Sequence, residues 1–112
     1  MLFDLKEYEH KKVHFIGIGG VSMSGLAAIL LNHNIRVTGS DQRPSKNTEK
    51  LQKRGAEIYY GHKKENITDQ DLVIYTAAIR EDNEELQRAH TLGIQTFDRA
   101  AFLGHLMKNF TN

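Results

Sequence analysis

The sequence predicts an α/β fold, a Rossmann-like three-layer domain around a mostly parallel sheet of about five strands. Three observations carry this expectation. Short apolar runs at 13–18, 35–39, 56–60 and 72–75, with a weaker one at 94–97, alternate with segments of helical spacing or polar crossover. The first run breaks into Gly17-Ile18-Gly19-Gly20 immediately before a helix start. The spacing between runs suits parallel strands joined by right-handed crossovers, with helices on both faces.

Composition limits what such a domain can do. With 112 residues, 39% of them hydrophobic, residues 1–112 are expected to form a single domain with one core. Lysine and arginine (15) nearly balance aspartate and glutamate (14), so no whole-molecule field draws the chain to nucleic acid or to an anionic membrane. Cysteine is absent, which excludes disulfides and thiolate metal sites. The apolar run Leu26 to Leu31 is far shorter than the roughly 20 residues of a membrane span, and the N-terminus lacks a basic segment before an apolar one. A soluble, cytoplasmic protein is expected.

Taken in order, residues 1–12 are polar and charged around Leu2, Phe3, Leu5 and Tyr8, and are expected to be a loosely packed lead-in. Val13 to Ile18 is a buried parallel strand, because it is short, apolar and closed by glycine. Gly20 to about Asn32 is a helix, in which the apolar residues Val21, Leu26, Ile29 and Leu30 recur at helical spacing while Gly25, Ala27 and Ala28 keep a thin side that can lie close to a sheet. Ile35 to Gly39 is the second strand, with Ser40-Asp41 at its end and loop chemistry through Pro44. A second helix runs from Asn47 or Thr48 to Arg54 and stops at Gly55. Ala56 to Tyr60 is the third strand, Gly61-His62 its exit turn, and Lys63 to Gln70 a crossover too short for a full helix, anchored by Ile67. Leu72 to Tyr75 is the fourth strand. Asn83 caps a helix with Glu84 and Glu85 in its first turn and Gly93 past its end. Ile94 to Phe97 is the fifth strand, and Asp98 caps a last helix with Ala101, Phe102, Leu106 and Leu103 inward.

In open parallel sheets, ligands bind beyond the carboxyl ends of the strands, where strand order reverses. The loops 17–25, 40–43 and 76–79 each follow a strand and are therefore expected to meet. In the first, backbone N–H groups and a helix N-terminus favour an anion such as a phosphate or pyrophosphate. The pattern is Gly-x-Gly-x-x-Ser, with Ser22 where the dinucleotide fingerprint has its third glycine. Glycines kept only for a tight turn account for the same residues, but not for an acidic partner. Asp41 stands where a carboxylate would accept hydrogen bonds from a nucleotide ribose or base, although a loop aspartate bonding backbone is the plainer alternative. Thr76, Ala77 and Ala78 offer N–H groups and a hydroxyl, or merely let loops pass. Histidines 10, 14, 33, 62, 90 and 105 are scattered, so no metal site is expected and each is read as a surface or packing residue. Glu84, Glu85 and Arg88 read as a solvated helix face. No nucleophile, base and orienting residue assemble, so no catalytic residue is expected.

The run from His14 to Ala27, His-Phe-Ile-Gly-Ile-Gly-Gly-Val-Ser-Met-Ser-Gly-Leu-Ala, closely resembles the opening motif of the UDP-N-acetylmuramate–L-alanine ligases, within the Mur ligase family. Val37-Thr38-Gly39-Ser40-Asp41, Gly55-Ala56, Gly61-His62, the segment from Thr76 to Asn83, and Arg99-Ala100-Ala101-Phe102-Leu103 resemble its later motifs in the same order. The resemblance implies the family's N-terminal domain, which holds the UDP moiety of UDP-N-acetylmuramic acid. It further implies a site of Gly17, Gly19, Gly20, Val21, Ser22, Met23 and Ser24 at the diphosphate, Ser40 and Asp41 by the uridine, and Thr76, Ala77 and Ala78 closing over the phosphate and sugar. His62 and Arg99 match family positions without an assigned role.

For the parent enzyme, the resemblance implies an ATP-dependent ligase forming UDP-N-acetylmuramoyl-L-alanine in peptidoglycan biosynthesis, and so a part in cell-wall biogenesis, cell shape and cell division. Its middle domain binds ATP and magnesium through a Gly-Thr-His-Gly-Lys-Thr loop, and a third domain helps bind the amino acid. This sequence has no such loop. The central and C-terminal domains are expected to lie elsewhere in the parent, and this part alone is expected to bind neither ATP nor metal and to be inactive. The muropeptide-recycling relative usually carries cysteine near the second glycine, unlike Gly19-Gly20. An NAD(P)-binding or nucleotide-sensing Rossmann module is the competing class, with the missing third glycine against it, and a purely structural fragment is the third possibility.

Overall fold

The structure, a computed structural model, describes residues 3–110. Five strands, β1 (Lys12–Ile16), β2 (Arg36–Asp41), β3 (Glu57–Tyr60), β4 (Leu72–Tyr75) and β5 (Gln95–Asp98), form one sheet in the order β3-β2-β1-β4-β5. Every neighbouring pair is parallel, so the expected sheet is found without an antiparallel member. Between and after the strands lie α1 (Val21–Asn32), α2 (Lys46–Lys53), α3 (Glu84–Thr91) and α4 (Arg99–Met107), with a 3-10 turn at Lys64–Asn66 in the β3–β4 crossover. No helix among the described residues is long and apolar enough to cross a membrane.

The order reverses at β1, because the chain steps from β1 outward to β2 and β3 and then returns to β1's other side with β4 and β5. Right-handed crossovers in the two directions must lie on opposite faces of the sheet. Alternation along the strands shows this directly: Val13, Phe15, Leu72 and Ile74 join Leu26, Leu30, Leu51 and Phe102 in one core, while Ile16 and Val73 join Ile67, Leu86 and Ala89 in a second. Helices α1, α2 and α4 thus cover one face, and α3 with the 3-10 turn covers the other.

Local chemistry sets the helix ends. Ser45 caps α2 in a reciprocal box with Thr48, Asn83 accepts from the N–H groups of Glu85 and Leu86 at the start of α3, and Asp98 accepts from Ala101 N–H at the start of α4. Gly55, expected as a helix stop, has φ +105°.

Three expectations are corrected. The lead-in is core, since Phe3, Leu5 and Tyr8 are buried and Phe3 packs edge-on against Phe102, ring centroids 4.9 Å apart; Leu2 lies outside the described residues. A charged segment can do this because its three apolar groups occur at positions 3, 5 and 8 and its acids and lysines turn outward. Val21, which shares the helical spacing of Leu26 and Leu30, is 87% exposed while Met23 is buried, because the first residue of a helix has no preceding turn to fix which face it joins. Ala101 is likewise exposed, leaving Phe102 and Leu106 as the buried groups of α4.

Candidate functional site

The glycine loop is a turn pinned from three directions. β1 ends at Ile16, and the Ser40 carbonyl at the end of β2 accepts both Gly17 N–H (2.8 Å) and Ile18 N–H (3.0 Å). Gly17 has φ +87°, and a Cβ there would lie 3.1 Å from the Thr76 methyl, so the loops after β1 and β4 touch at a place where only glycine is unstrained. Gly19 is held on both sides: its N–H donates to Asp41 Oδ2 (2.7 Å) and its carbonyl accepts from Asn47 Nδ2 (2.9 Å). A Cβ on Gly19 would lie 2.6 Å from that same carboxylate oxygen. The loops after β1, β2 and β4 do converge.

The helix that follows begins at Gly20, and no side chain caps it. Its first-turn N–H groups, from Val21, Ser22 and Met23, face the crevice outside the sheet edge and carry the positive end of the α1 dipole. Ser24 turns its hydroxyl back to the Val21 carbonyl (3.1 Å). Arg99, at the start of α4, reaches Ser22 with Nη1 3.3 Å from Oγ, which sets a guanidinium beside the same helix end. The arrangement can act as an anion cradle of backbone donors with the Arg99 guanidinium at its rim.

Asp41 is half-buried and accepts from Gly19 N–H and, through Oδ1, from Gln42 N–H (2.7 Å). A carboxylate has about four acceptor positions, so two remain for a ligand donor. Ala77 and Ala78 are exposed and Thr76 is half-buried on the β4 side of the crevice. Met23 is buried and can offer only its backbone N–H. Ser40 is different: it is fully buried, with its hydroxyl directed to the opposite face of the sheet.

That face holds a polar layer that the solvated-face reading of Glu85 missed. Glu85 and His14 are both fully buried, and His14 Nε2 lies 2.6 Å from Glu85 Oε1. His14 Nδ1 meets Thr38 Oγ1 at 2.7 Å, Ser40 Oγ donates to Glu85 Oε1 at 2.7 Å, and Asn66 Nδ2 and Lys63 N–H donate to Oε2 at 2.7 and 3.1 Å. Burial pushes the Glu85 carboxyl up, but the donors from His14, Asn66 and Ser40 and the attraction to His14 outweigh it, so its pKa is lowered. His62, half-buried at the exit of β3, joins through Ser40 Oγ at 2.8 Å. The signal was in the sequence: His14 interrupts an apolar strand, and Thr38 and Ser40 share one face of β2 by the period of two. Asn47, which braces Gly19, carried no such sign.

The model of the family described as Mur ligase family, catalytic domain, matches residues 12–111. The chain belongs to the Mur ligase family. Over 98% of its length this Mur ligase chain is 56% identical to a UDP-N-acetylmuramate–L-alanine ligase of Clostridium botulinum, covering 24% of that protein. It is 57% identical over 97% of its length to the enzyme of the same name from Acetivibrio thermocellus, covering 23% of it. The crystal structure of the UDP-N-acetylmuramate–alanine ligase of Thermotoga maritima superposes with a TM-score of 0.85 at 36% identity, covering 88% of this chain and 23% of that one. The chain thus spans about a quarter of the length of the curated relatives it matches.

Proposed function

We propose that this Mur ligase chain binds the UDP portion of UDP-N-acetylmuramic acid, as the nucleotide-sugar-binding N-terminal domain of an ATP-dependent UDP-N-acetylmuramate–L-alanine ligase. The observation that carries the reading is the uncapped N-terminus of α1, flanked by Asp41, Thr76 and Arg99 at the switch point of the sheet. Names and sequence identity of the relatives support the choice of ligand.

In this reading the diphosphate lies against Gly17, Gly19, Gly20 and the first-turn N–H groups of Val21, Ser22 and Met23, whereas the Ser24 N–H is bonded to the Gly20 carbonyl (2.8 Å) and Ser24 serves only to close the first turn. Oriented backbone dipoles replace its hydration shell, and Arg99 swings from Ser22 to a phosphate oxygen. Exposed Val21 offers an apolar surface to the ligand. Asp41 uses its free acceptor positions on the nucleoside, while Ser40 acts indirectly by fixing the loop start through its carbonyl. Thr76, Ala77 and Ala78 close the sugar side. Placing the muramic acid for reaction with alanine is the contribution of this domain to catalysis.

ATP and magnesium do not fit the residues present. Their phosphate cradle requires a Gly-Lys-Ser/Thr loop, which the sequence lacks, and among the described residues no three His, Asp or Glu side chains are grouped to hold a metal ion. Activation of the muramate carboxylate is assigned to the remaining parts of a full-length cytoplasmic ligase acting in peptidoglycan synthesis.

Titration of the chain with UDP, UDP-N-acetylmuramate, pyrophosphate and NADH, followed by amide shifts, tests the reading. Shifts are expected at 17–25, 40–42 and 76–79, with UDP-N-acetylmuramate tightest. Tighter binding of NADH identifies a dinucleotide module, and no shifts with any ligand identify a structural unit; either result overturns the proposal.

A further inference from the structure

The four donors around Glu85 come from elements that are otherwise far apart in sequence: His14 on β1, Ser40 on β2, and Lys63 and Asn66 in the β3–β4 crossover. An ionised carboxylate only accepts, so His14 Nε2 carries a hydrogen and the Ser40 hydroxyl gives its hydrogen to Glu85. The Ser40 oxygen then accepts from His62, whose Nδ1 carries the hydrogen of that 2.8 Å contact. Asn66 closes the set by also donating to the Gly61 carbonyl (3.0 Å), and Gln70 links the Asn66 carbonyl (2.9 Å) to Thr38 Oγ1 (3.3 Å). Every donor of the layer has an acceptor.

A carboxylate kept only to tie a helix to a sheet could sit anywhere beneath the strands. Glu85 sits under their carboxyl ends. Ser40 directly precedes Asp41, and its carbonyl receives Gly17 and Ile18, the first residues of the glycine loop. The Asp41 carbonyl in turn receives Gly61 N–H at 2.8 Å, next to His62. One buried charge on α3 therefore holds both Ser40, whose carbonyl anchors the start of the glycine loop, and the segment that leaves β3.

We propose that Glu85 is a positioning residue for the anion cradle, setting the glycine loop through Ser40 without touching the ligand. The inference rests on the nucleotide-sugar reading above for its ligand, but not for its loop geometry. A loop with three close partners presents its N–H groups already oriented, and loosening it exacts ordering from the ligand at each binding event.

Glu85→Gln tests this with almost no change of shape. The amide NH2 must face either His14 and Ser40 or Lys63 and Asn66, a donor against donors on either side. Expected are a UDP Kd raised about tenfold and exchange of the Gly17 and Ile18 amides accelerated by about the same factor relative to those of β4. Glu84→Gln, on the exposed face of the same helix, leaves both unchanged. A folded Glu85→Gln chain with unaltered Kd and unaltered loop exchange overturns the proposal, as does acceleration spread evenly over the sheet with Kd unaltered. If Glu85→Gln does not fold, Ser40→Ala, which removes the link and little volume, decides by the same two measurements. If the unsubstituted chain binds no UDP, the ligand assignment fails, and the exchange at Gly17 and Ile18 alone decides whether Glu85 sets the loop.

Discussion

Asp41 Oδ2 accepts the backbone N–H of Gly19 at 2.7 Å, which makes the end of β2 and the glycine loop one hydrogen-bonded unit. The aspartate that reads as a nucleoside contact is therefore also a brace. Asp41→Ala is expected to weaken UDP binding by about 1–3 kcal/mol, from a lost charge-assisted bond and a loosened loop. Pyrophosphate should weaken too, because Gly19 loses its partner whichever ligand is present. Calorimetric titration of both ligands checks this; a pyrophosphate affinity equal to that of the unsubstituted chain would show that the brace is dispensable.

Gly39 sits mid-strand because Ile18 lies on it. A Cβ at Gly39 would run into Ile18 Cδ1 and lie 2.8 Å from its Cβ, which the backbone holds in place, and Ile18 is fully buried. Gly39→Ala is expected to cost about 1–3 kcal/mol of stability by overpacking, read from the urea midpoint. Combining it with Ile18→Ala should recover part of that loss, since the two groups contend for one space. Additive losses would count against the contact.

Arg99, half-buried, donates to Ser22 at 3.3 Å in a solvent-exposed contact worth little to the fold. Arg99→Gln should leave the urea midpoint within about 0.5 kcal/mol of the parent while weakening UDP by about 1–2 kcal/mol. The loss should shrink at high salt, as expected of a charge near solvent. A salt-independent loss would point to packing.

The lowered pKa of Glu85 has a consequence for acid stability. A carboxyl whose folded pKa lies below its unfolded value of about 4.3 binds protons more readily when unfolded, so its contribution is complete above that value and fades as pH falls through the folded pKa. Urea unfolding between neutral pH and about pH 3 should therefore show a steeper acid decline for the parent than for Glu85→Gln. Parallel curves would mean that the carboxyl titrates alike in the folded and unfolded chain, and a shallower decline for the parent would mean that it is held protonated in the fold.

Much of this was legible along the chain. The five strands, the helix stop at Gly55 and the caps at Asn83 and Asp98 follow from neighbours within a turn or two, and they appear where that chemistry places them. The meeting of the loops after β1, β2 and β4 followed as well, because parallel strands put all such loops at one edge. Which side a residue faces was legible only where a strand or helix runs long enough to show its period. Val21 and Ala101, near helix starts, show none and turned outward.

Periodicity along 112 residues determined the fold class and the edge at which a ligand could bind, since both depend on short-range pattern and on the handedness of crossovers. The fate of the polar groups was decided by tertiary structure alone. Glu85 is indistinguishable from exposed Glu84 beside it until α3 docks against β1 and β2, and only then does the first-turn acid lose all contact with water and meet His14, 71 residues earlier. A buried charge is tolerable only where its partners converge, and that convergence is a property of packing between distant segments rather than of any window of sequence.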